Sequence, residues 1–501
     1  MTLSYKQILG TVGYPTDVLV LDFESYFDSE YHMGKDAKAL STIEYIMDPR
    51  FELTGLGCLF ADTTLFKTFY TPIEVPDVLS RVNWATKTVV VQDAFFDITV
   101  LKEKFGIVPK YIIDVKDLAK HYDAKMSAKL KDLAKLFRLQ DKGDTQEFKG
   151  MHWVTMTPVQ RESLIKYCSN DIDLEWELFQ KLLPMLTNAE TELKLARHTL
   201  DLYLNPVIKF DSVKAKELSN KMFLAMIEAT RSVGHTGKVL RSNKFIKLLE
   251  EALPEGELVP MKLGKNKNIP ALAKEDEGLK YLLAHPDEKV HNLVLARQAV
   301  KSWPLHIKRI ENMSKQSAVS GGRFRVPLGY YSAHTGRWGG NEKVNPQNFG
   351  GKGRAGKGTN ALISQTRELL GAPDGYKFTI IDSAQIEARV LAWLAGQEDL
   401  LNGFANGEDI YSVFATRLFG CEVRKPQASD NGAARKILEV RRGFGKDAIL
   451  GCVALGTPIL TDKGWKPIEN VTTSDILWDG KTWVLHDGVT FRGKKRCVEI
   501  N

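Results

Sequence analysis

The sequence predicts an α/β domain first, a helical region after it, and a short all-β segment at the carboxyl-terminal end. Over residues 15–185, apolar strand-like runs such as VLVLDF, TVVVQ and KYIID alternate with helix-like stretches. From about residue 186 to 300, long stretches rich in Leu, Lys and Glu are typical of helices. After Cys452 the pattern changes to short strands broken by turn pairs, which indicates a domain boundary.

Length and composition indicate a soluble protein with more than one domain. The 501 residues exceed what a single hydrophobic core organises, and 43% hydrophobic with 26% charged residues is ordinary for globular chains. The five cysteines form no C-x-x-C pair, which favours free thiols in a reducing compartment. With no signal-like start and no apolar run of bilayer length, we expect a cytoplasmic protein without membrane contact, in a cell or in the host of a phage.

Positive charge is concentrated in one segment. The net charge is +7, and residues 301–357 hold eleven Lys or Arg residues against Glu311 and Glu342. Glycines and aromatic residues interleave with these charges, which suits a backbone that approaches phosphates closely. The segment therefore predicts contact with a nucleic-acid backbone, and a solvated loop is the alternative.

Acidic residues recur in the predicted α/β domain. Asp22 and Glu24 lie two residues apart in a strand, so both point to one face, and Asp97 stands at a predicted helix start. Tyr167 and Asp171 are four residues apart, on one face of a predicted helix. Four carboxylates and a tyrosine can hold two divalent ions for phosphodiester hydrolysis. An ordinary surface acid pair is the competing interpretation of Asp22 and Glu24.

In this order, the acids over residues 15–185 resemble the DEDD exonucleases that carry a tyrosine in their third motif. The resemblance implies a ribonuclease H-like fold and 3′–5′ exonuclease activity with two Mg²⁺ or Mn²⁺ ions. It also implies that Tyr167 orients the attacking water and that four carboxylates hold the metal ions: Asp22, Glu24, Asp97 and Asp171. One departure is that Gln92-Asp93 stand where the family usually has His-Asn.

A second set of motifs follows the helical region. The segment YYSAHTGRWGGNEKVNPQNFGG contains T-G-R followed by P-x-Q-N, and TIIDSAQIEARVLAWLAG contains D-x-x-Q-I-E-x-R. Both resemble motifs of the family A DNA polymerases. The resemblance implies that Asp382, at the end of a predicted strand, binds catalytic Mg²⁺, and that Glu387 crowds a ribose 2′-hydroxyl. It implies primer–template contacts for five residues: Thr335, Arg337, Gln347, Asn348 and Arg389. Simple amphipathic packing is the alternative for the helix that follows Asp382.

The segment RRGFGKDAILG fits the beginning of the second polymerase motif of that family. Arg442, Lys446 and Leu450 are spaced by four residues, so they share one helical face. The resemblance implies that they bind the incoming dNTP, and a salt-bridged surface helix is the alternative. Earlier, Tyr411 stands where the family usually has a histidine. The Y-G pair that continues this motif and the later H-D-E motif are not in the sequence.

The residues from Cys452 onward resemble the amino-terminal part of an intein. Cys452 is followed by Thr457 and P-I-L-T, and a cysteine thiol could attack the carbonyl of Gly451, which has no side chain to obstruct it. The resemblance implies a split intein, whose partner chain carries the remainder of both intein and polymerase. A native β-rich appendage with a buried Cys452 is the alternative.

The motifs together predict five regions and three partners. The partners are a DNA primer–template, dNTPs and a complementary chain. Two other hypotheses are a stand-alone exonuclease with a DNA-binding extension and an inactive DNA-binding remnant. The predicted regions are an α/β exonuclease domain (1–185), a helical thumb (186–320), an α+β palm (321–400), the start of helical fingers (401–451) and a short all-β split-intein fragment (452–501).

Overall fold

The computed structural model divides into two compact units, residues 1–378 and 379–501, and each is described by itself. No helix among the described residues is both long and apolar enough to cross a membrane. The structure describes residues 3–34, 36, 38–62, 64–263, 268–273, 276–349, 360–394, 396–427, 429–449, 458–478 and 483–485.

A five-stranded mixed sheet organises the amino-terminal part of the first unit. Its order is β3-β2-β1-β4-β5, with β2 antiparallel to both neighbours and β1, β4 and β5 parallel. The strands are β1 (Val18–Ser25), β2 (Leu53–Ala61), β3 (Leu65–Tyr70), β4 (Thr88–Val91) and β5 (Tyr111–Asp114). The predicted strands correspond to β1, β4 and β5, so the α/β prediction holds here, whereas β2 and β3 were not predicted.

Eight helices accompany this sheet in the described residues, and α7 positions the acidic residues. They are α1 (Tyr5–Thr11), α2 (Thr42–Met47), α3 (Val75–Arg81), α4 (Ala94–Phe105), α5 (Val115–Tyr122), α6 (Leu130–Leu136), α7 (Pro158–Leu182) and α8 (Ala189–Leu204). A capping box on Thr157 and Pro158 in the first turn begin α7. This helix packs closely on β2, because a Cβ at Gly57 would lie only 2.6 Å from the Sγ atom of Cys168.

The rest of the first unit is mainly helical and has short two-residue and three-residue strands. Its helices and strands are β6 (Ile208–Phe210), α9 (Ser212–Ser232), α10 (Gly237–Arg241), α11 (Lys244–Ala252), β7 (Met261–Leu263), β8 (Asn268–Pro270), α12 (Glu277–Leu283), α13 (Glu288–Ala318), β9 (Arg323–Phe324), β10 (Leu328–Gly329), β11 (Gly339–Gly340), α14 (Asn360–Ser364) and β12 (Leu370–Gly371). The long helices α9 and α13 pack against each other. Buried apolar side chains of α11 to α13, including Phe245 and Leu282, form a separate core.

The basic segment is partly buried against the amino-terminal domain. Arg325 is only 3% exposed, and its guanidinium donates to Glu103 at 2.8 Å and to the carbonyl of Tyr203 at 3.0 Å. The indole of Trp338 donates to the hydroxyl of Thr199 at 2.8 Å. The expectation that the basic segment contacts a nucleic acid along its whole length is therefore wrong at Arg325. A buried cation must be neutralised within the protein, and Arg325 is neutralised by Glu103.

Among its described residues, the second unit has four helices followed by a small antiparallel sheet. The sheet has the order β14-β13-β15-β16, which agrees with the predicted strand-and-turn texture after Cys452. The buried Asp475 accepts hydrogen bonds from Lys463 and Lys466 within it. The elements are α15 (Ile386–Leu394), α16 (Glu398–Ala405), α17 (Ile410–Phe419), α18 (Gly432–Ile449), β13 (Pro458–Thr461), β14 (Gly464–Pro467), β15 (Leu477–Trp478) and β16 (Trp483–Val484).

The predicted strand before Asp382 does not form. Residues 376–383 have no regular structure, and Ile380 and Ile381 are 87% and 89% exposed. A strand persists only where neighbouring backbone satisfies its N–H and C=O groups, and no described strand pairs with this segment. The strand prediction for this apolar segment is therefore wrong for the described structure.

Candidate active sites

Three elements bring the predicted acids together in the first unit. Asp22 and Glu24 lie on β1, and their partners across the ladder are Gly57 and Gly55, so no β2 side chain stands beside them. Asp97 lies in the first turn of α4, where its Oδ1 accepts the backbone N–H of Phe23 at 3.0 Å. This bond ties α4 directly to the strand that carries the first two acids.

Helix α7 supplies the remaining predicted residues. Tyr167 and Asp171 are both buried on this helix, four residues apart as the spacing predicted. Burial raises the pKa of Tyr167 well above its usual value, and the nearby carboxylate of Asp171 adds to the effect. The phenol therefore keeps its proton at neutral pH and can donate a hydrogen bond.

The acids repel one another in a poorly hydrated environment. Burial raises the pKa of Asp22 to about 7, with a further contribution from the negative charge of Asp171. Burial likewise raises the pKa of Glu24 well above its usual value, and the charge of Asp22 adds to it. Burial also raises the pKa of Asp97. Such a set is stable in its ionised form only with cations among the carboxylates.

One lysine provides a positive charge for these acids. The ammonium group of Lys142 donates a hydrogen bond to Oδ2 of Asp171 and lies 4.8 Å from the ring centroid of Tyr167. Burial lowers the pKa of Lys142, but Asp171 and Asp22 outweigh that effect, so its pKa lies above the usual value. Lys142 therefore neutralises part of the negative charge of the carboxylates, as a bound metal ion would.

The donor atoms suit divalent cations. The ligand atoms of Asp22, Glu24 and Cys168 all lie within 4.8 Å of one another. Oδ1 of Asp171 is buried and has no hydrogen-bond partner among the described residues, so it is available as a ligand. Mostly carboxylate oxygens in this arrangement fit Mg²⁺ or Mn²⁺ better than a soft metal ion.

A cleft of about 520 Å³ opens beside Glu24. Its lining combines the half-buried aromatic residues Phe27 and Phe96 with the charged side chain of Lys149. Aromatic rings can stack on nucleic-acid bases, and an ammonium group can bind a phosphate. The cleft therefore has the chemistry to hold a nucleotide next to the carboxylates.

The first pair of predicted polymerase motifs lies in the first unit. Thr335 and Arg337 flank Gly336, whose φ of 73° is the left-handed conformation that glycine adopts readily. Gln347 and Asn348 lie in a short 3-10 helix. These four residues, Thr335, Arg337, Gln347 and Asn348, are predicted to contact DNA, and all of them are exposed to solvent.

The remaining predicted polymerase residues lie in the second unit. Asp382 is exposed in the irregular segment, and Glu387 is exposed in the first turn of α15. Arg389 donates to the carbonyl of Ala384 at 2.9 Å and stacks over the ring of Phe404. Its guanidinium is thus engaged within the unit.

The two predicted dNTP-binding cations differ in their surroundings. Arg442 forms a bidentate pair with Asp409, at 2.6 and 3.0 Å, and lies over the ring of Tyr411. Lys446 is exposed one turn later on α18. Leu450 and Cys452 lie outside the described residues, so their predicted roles stay predictions.

Sequence profiles of known families match two long stretches of the chain. Residues 67–187 match the profile "3′-5′ exonuclease", and residues 215–438 match "DNA polymerase family A". Residues 67–187 are thus similar to 3′-5′ exonucleases, and residues 215–438 are similar to the family A DNA polymerases. The exonuclease-like stretch comes first in the chain, and the polymerase-like stretch follows.

Individual relatives agree with this assignment over shorter segments. DNA polymerase I of Chloroflexus aurantiacus is 35% identical over 114 residues, 23% of this chain and 11% of that protein. The DNA polymerase of Bacillus phage SP02 is 30% identical over 194 residues, 34% of this chain and 29% of that protein. The aligned segments thus span less than a third of either relative.

A solved structure shares the fold. The POL domain of Pol1 from M. smegmatis, in complex with DNA primer-template and dNTP, superimposes with a TM-score of 0.56 at 16% sequence identity. The match covers 88% of this chain and 69% of that chain. At this identity the similarity concerns the fold alone.

The departure from the exonuclease motif has a structural role. Asp93 begins α4 with a φ of 74°, and its side chain pairs with Lys116 at 2.7 Å. The side-chain amide of Gln92 donates to the carbonyl of Ala128. Asp93 thus connects the start of α4 to α5, and Gln92 connects the end of β4 to the segment before α6. The departure leaves the cluster of acids intact.

Sequence reasoning missed three members of the exonuclease site. Lys142 comes from the connection after α6, and Cys168 and Glu175 come from α7. Glu175 was detectable, because it continues the four-residue spacing of Tyr167 and Asp171. Lys142 carried no local signal, since only the fold brings its segment to the acids.

We expect Lys142→Met to destabilise the metal-free protein by about 2 kcal/mol, because a carboxylate loses its charge-assisted hydrogen bond. The measurement is thermal unfolding in EDTA and again with Mg²⁺. Mg²⁺ should raise the melting temperature more in this variant than in the wild type, since the ion replaces the lost cation. Lys149→Met is the matched control, and equal melting temperatures of both variants in EDTA would contradict the assignment.

Proposed function

We propose that the exonuclease domain removes nucleotides from the 3′ end of DNA with two divalent ions, Mg²⁺ or Mn²⁺. The observation that carries the proposal is the cluster of half-buried and buried carboxylates on β1, α4 and α7, in which one oxygen of Asp171 has no partner among the described residues. Asp22, Glu24, Asp97 and Asp171 would hold the ions. Bound metal ions would activate water and stabilise the leaving oxygen of the phosphodiester.

The chain's own groups position the substrate. The half-buried aromatic rings of Phe27 and Phe96 offer stacking surfaces for the terminal base in the cleft beside Glu24. The protonated phenol of Tyr167 stands next to Asp171, where it orients the attacking water by a hydrogen bond. The glycines opposite Asp22 and Glu24 let the Cys168 side chain of α7 and the ring of Phe69 pack directly on β2.

Digestion of a 5′-labelled single-stranded oligonucleotide tests this proposal. We expect a ladder that shortens from the 3′ end with Mg²⁺ or Mn²⁺ and no digestion in EDTA. An oligonucleotide with a 3′-terminal phosphorothioate linkage is the control for direction. Absence of digestion with both ions, in a folded preparation, would refute the exonuclease proposal.

We further propose that the polymerase region binds a DNA primer–template and dNTPs and contributes part of a template-directed polymerase. Support comes from the family match and from the similarly folded M. smegmatis protein, whose structure is a complex with DNA primer-template and dNTP. Thr335, Arg337, Gln347 and Asn348 are the residues proposed to contact DNA, and their exposure is compatible with this.

Charge neutralisation distinguishes DNA-facing arginines from structural ones. Arg337→Gln should weaken primer–template binding and reduce the slope of log K against log salt by about 0.9 for each lost phosphate contact. Arg325→Gln should leave that slope unchanged but destabilise the protein by about 3 kcal/mol, because Glu103 loses its partner. Salt titrations and thermal unfolding of both variants measure this, and an unchanged slope in Arg337→Gln would contradict the DNA contact.

The polymerase region is proposed to need a complementary chain. One face of α15 exposes four apolar side chains, those of Ile386, Val390, Trp393 and Leu394. A contiguous apolar face of this kind indicates an interaction site, whereas single exposed apolar residues do not. The segment before Asp382, which pairs with no described strand, also exposes apolar side chains such as Ile380 and Ile381. We propose that a partner supplies the missing strands and catalytic carboxylate, and that a split intein beginning at Cys452 joins the two chains after Gly451.

The stand-alone exonuclease is the second candidate function. The bidentate pair of Arg442 with Asp409 favours it, because a guanidinium already neutralised this way is less available to a triphosphate. Under this alternative, the polymerase region only grips DNA. Nucleotide incorporation by a joined product would exclude it.

A further inference from the structure

Helix α7 carries a third polar residue in line with the exonuclease site. Tyr167, Asp171 and Glu175 follow at intervals of four residues, so they form one row along the helix. Glu175 is 1% exposed, and its neighbours along the helix are the buried apolar residues Leu174 and Leu178. Burying an apolar side chain at this position would cost less free energy than burying a carboxyl group without a hydrogen-bond partner.

Glu175 lies one helical turn beyond Asp171, close enough to the acids of the site for their charges to act on its carboxylate. Its Oε2 atom is buried and has no hydrogen-bond partner in the part of the chain that the structure describes. The charged groups that act on it are the carboxylates of Asp22, Asp97 and Asp171, together with the ammonium group of Lys142. Because three carboxylates and only one ammonium group act on Glu175, its negative charge is not neutralised by these neighbours.

We propose that Glu175 is a fifth carboxylate of the divalent-metal site and strengthens binding of the ions held by Asp22, Asp97 and Asp171. The inference rests on the proposed exonuclease function. An added anion close to the ligands raises the affinity for a divalent cation, and the ion in turn compensates a carboxylate that the protein leaves unpartnered.

Mn²⁺ binding to the metal-stripped full chain tests the proposal, with free Mn²⁺ followed by electron paramagnetic resonance. Glu175→Gln keeps the shape and removes the charge, so we expect about tenfold or greater loss of affinity. Glu175→Asp keeps the charge and should bind more tightly than Glu175→Gln. The matched control is Glu177→Gln, which removes the same charge from an exposed position of α7.

A neutral structural role for Glu175 gives the opposite result. A buried, protonated carboxyl is well imitated by glutamine, so Mn²⁺ affinity equal to that of the wild type in Glu175→Gln would overturn the proposal. Without metal, Glu175→Gln should melt at or above the wild-type temperature, because repulsion among the acids is relieved. A variant that melts lower or fails to fold would also count against it.

The two proposals fail in different ways. If the wild type neither binds Mn²⁺ nor digests DNA, the exonuclease function itself is wrong. If the wild type does both and Glu175→Gln binds Mn²⁺ as well as Glu177→Gln does, only the role of Glu175 is wrong.

Discussion

Asp22→Asn is expected to reduce 3′–5′ digestion of single-stranded DNA by at least about a thousandfold. A two-metal site places the ions and the attacking water together, so the loss of one anionic ligand removes most of the rate rather than a fraction of it. Asparagine keeps the size of the side chain, and the buried, mutually repelling acids should tolerate the loss of charge. Initial rates over a series of Mg²⁺ and Mn²⁺ concentrations measure the effect.

Asp173→Asn provides the control for this experiment. Asp173 lies on α7 two residues from Asp171, but its carboxylate pairs with Lys67 on β3 instead of joining the cluster. The same change of charge on the same helix should therefore leave digestion nearly unchanged. Equal rates of Asp22→Asn and the wild type would show that the cluster is not the catalytic site.

The second large effect concerns nucleotide incorporation. Alone, the chain should extend no primer, because Asp382 is exposed in a segment that pairs with no described strand, so its carboxylate is not fixed in place for metal binding. Mixed with a chain that carries the remaining polymerase and intein parts, it should yield a product joined at Gly451. That product should extend a primer, since both metal ions and the triphosphate can then be held together.

Mass spectrometry of the mixture, alongside primer extension, measures both steps. Cys452→Ala should abolish the joined product, because the acyl shift has no thiol nucleophile. Cys421→Ala is the matched control, since Cys421 is a half-buried thiol in the same unit with no proposed role in joining. Robust primer extension by the unmixed chain would refute the split active site, and a partner that never forms the Gly451 junction would refute the intein.

The sequence determined those features that depend on spacing within one element. The two-residue spacing of Asp22 and Glu24 and the four-residue spacing of Tyr167 and Asp171 place each pair on one face of its strand or helix. The exonuclease and polymerase motifs were likewise readable locally, and residues 67–187 and 215–438 match the corresponding family profiles, while the roles of the motif residues stay predictions. The strands β2 and β3 were missed, although both carry apolar runs.

Only the tertiary structure decided which charges meet. It brings Lys142 to Asp171, turns Arg325 inward to Glu103, and leaves the strand-like residues before Asp382 without a pairing partner among the described strands. The first two outcomes depend on contacts between residues 29 and 222 positions apart. Local periodicity specifies the face of a helix or strand on which a side chain lies. Long-range packing decides which group that side chain contacts, because burial, pairing and desolvation act between elements.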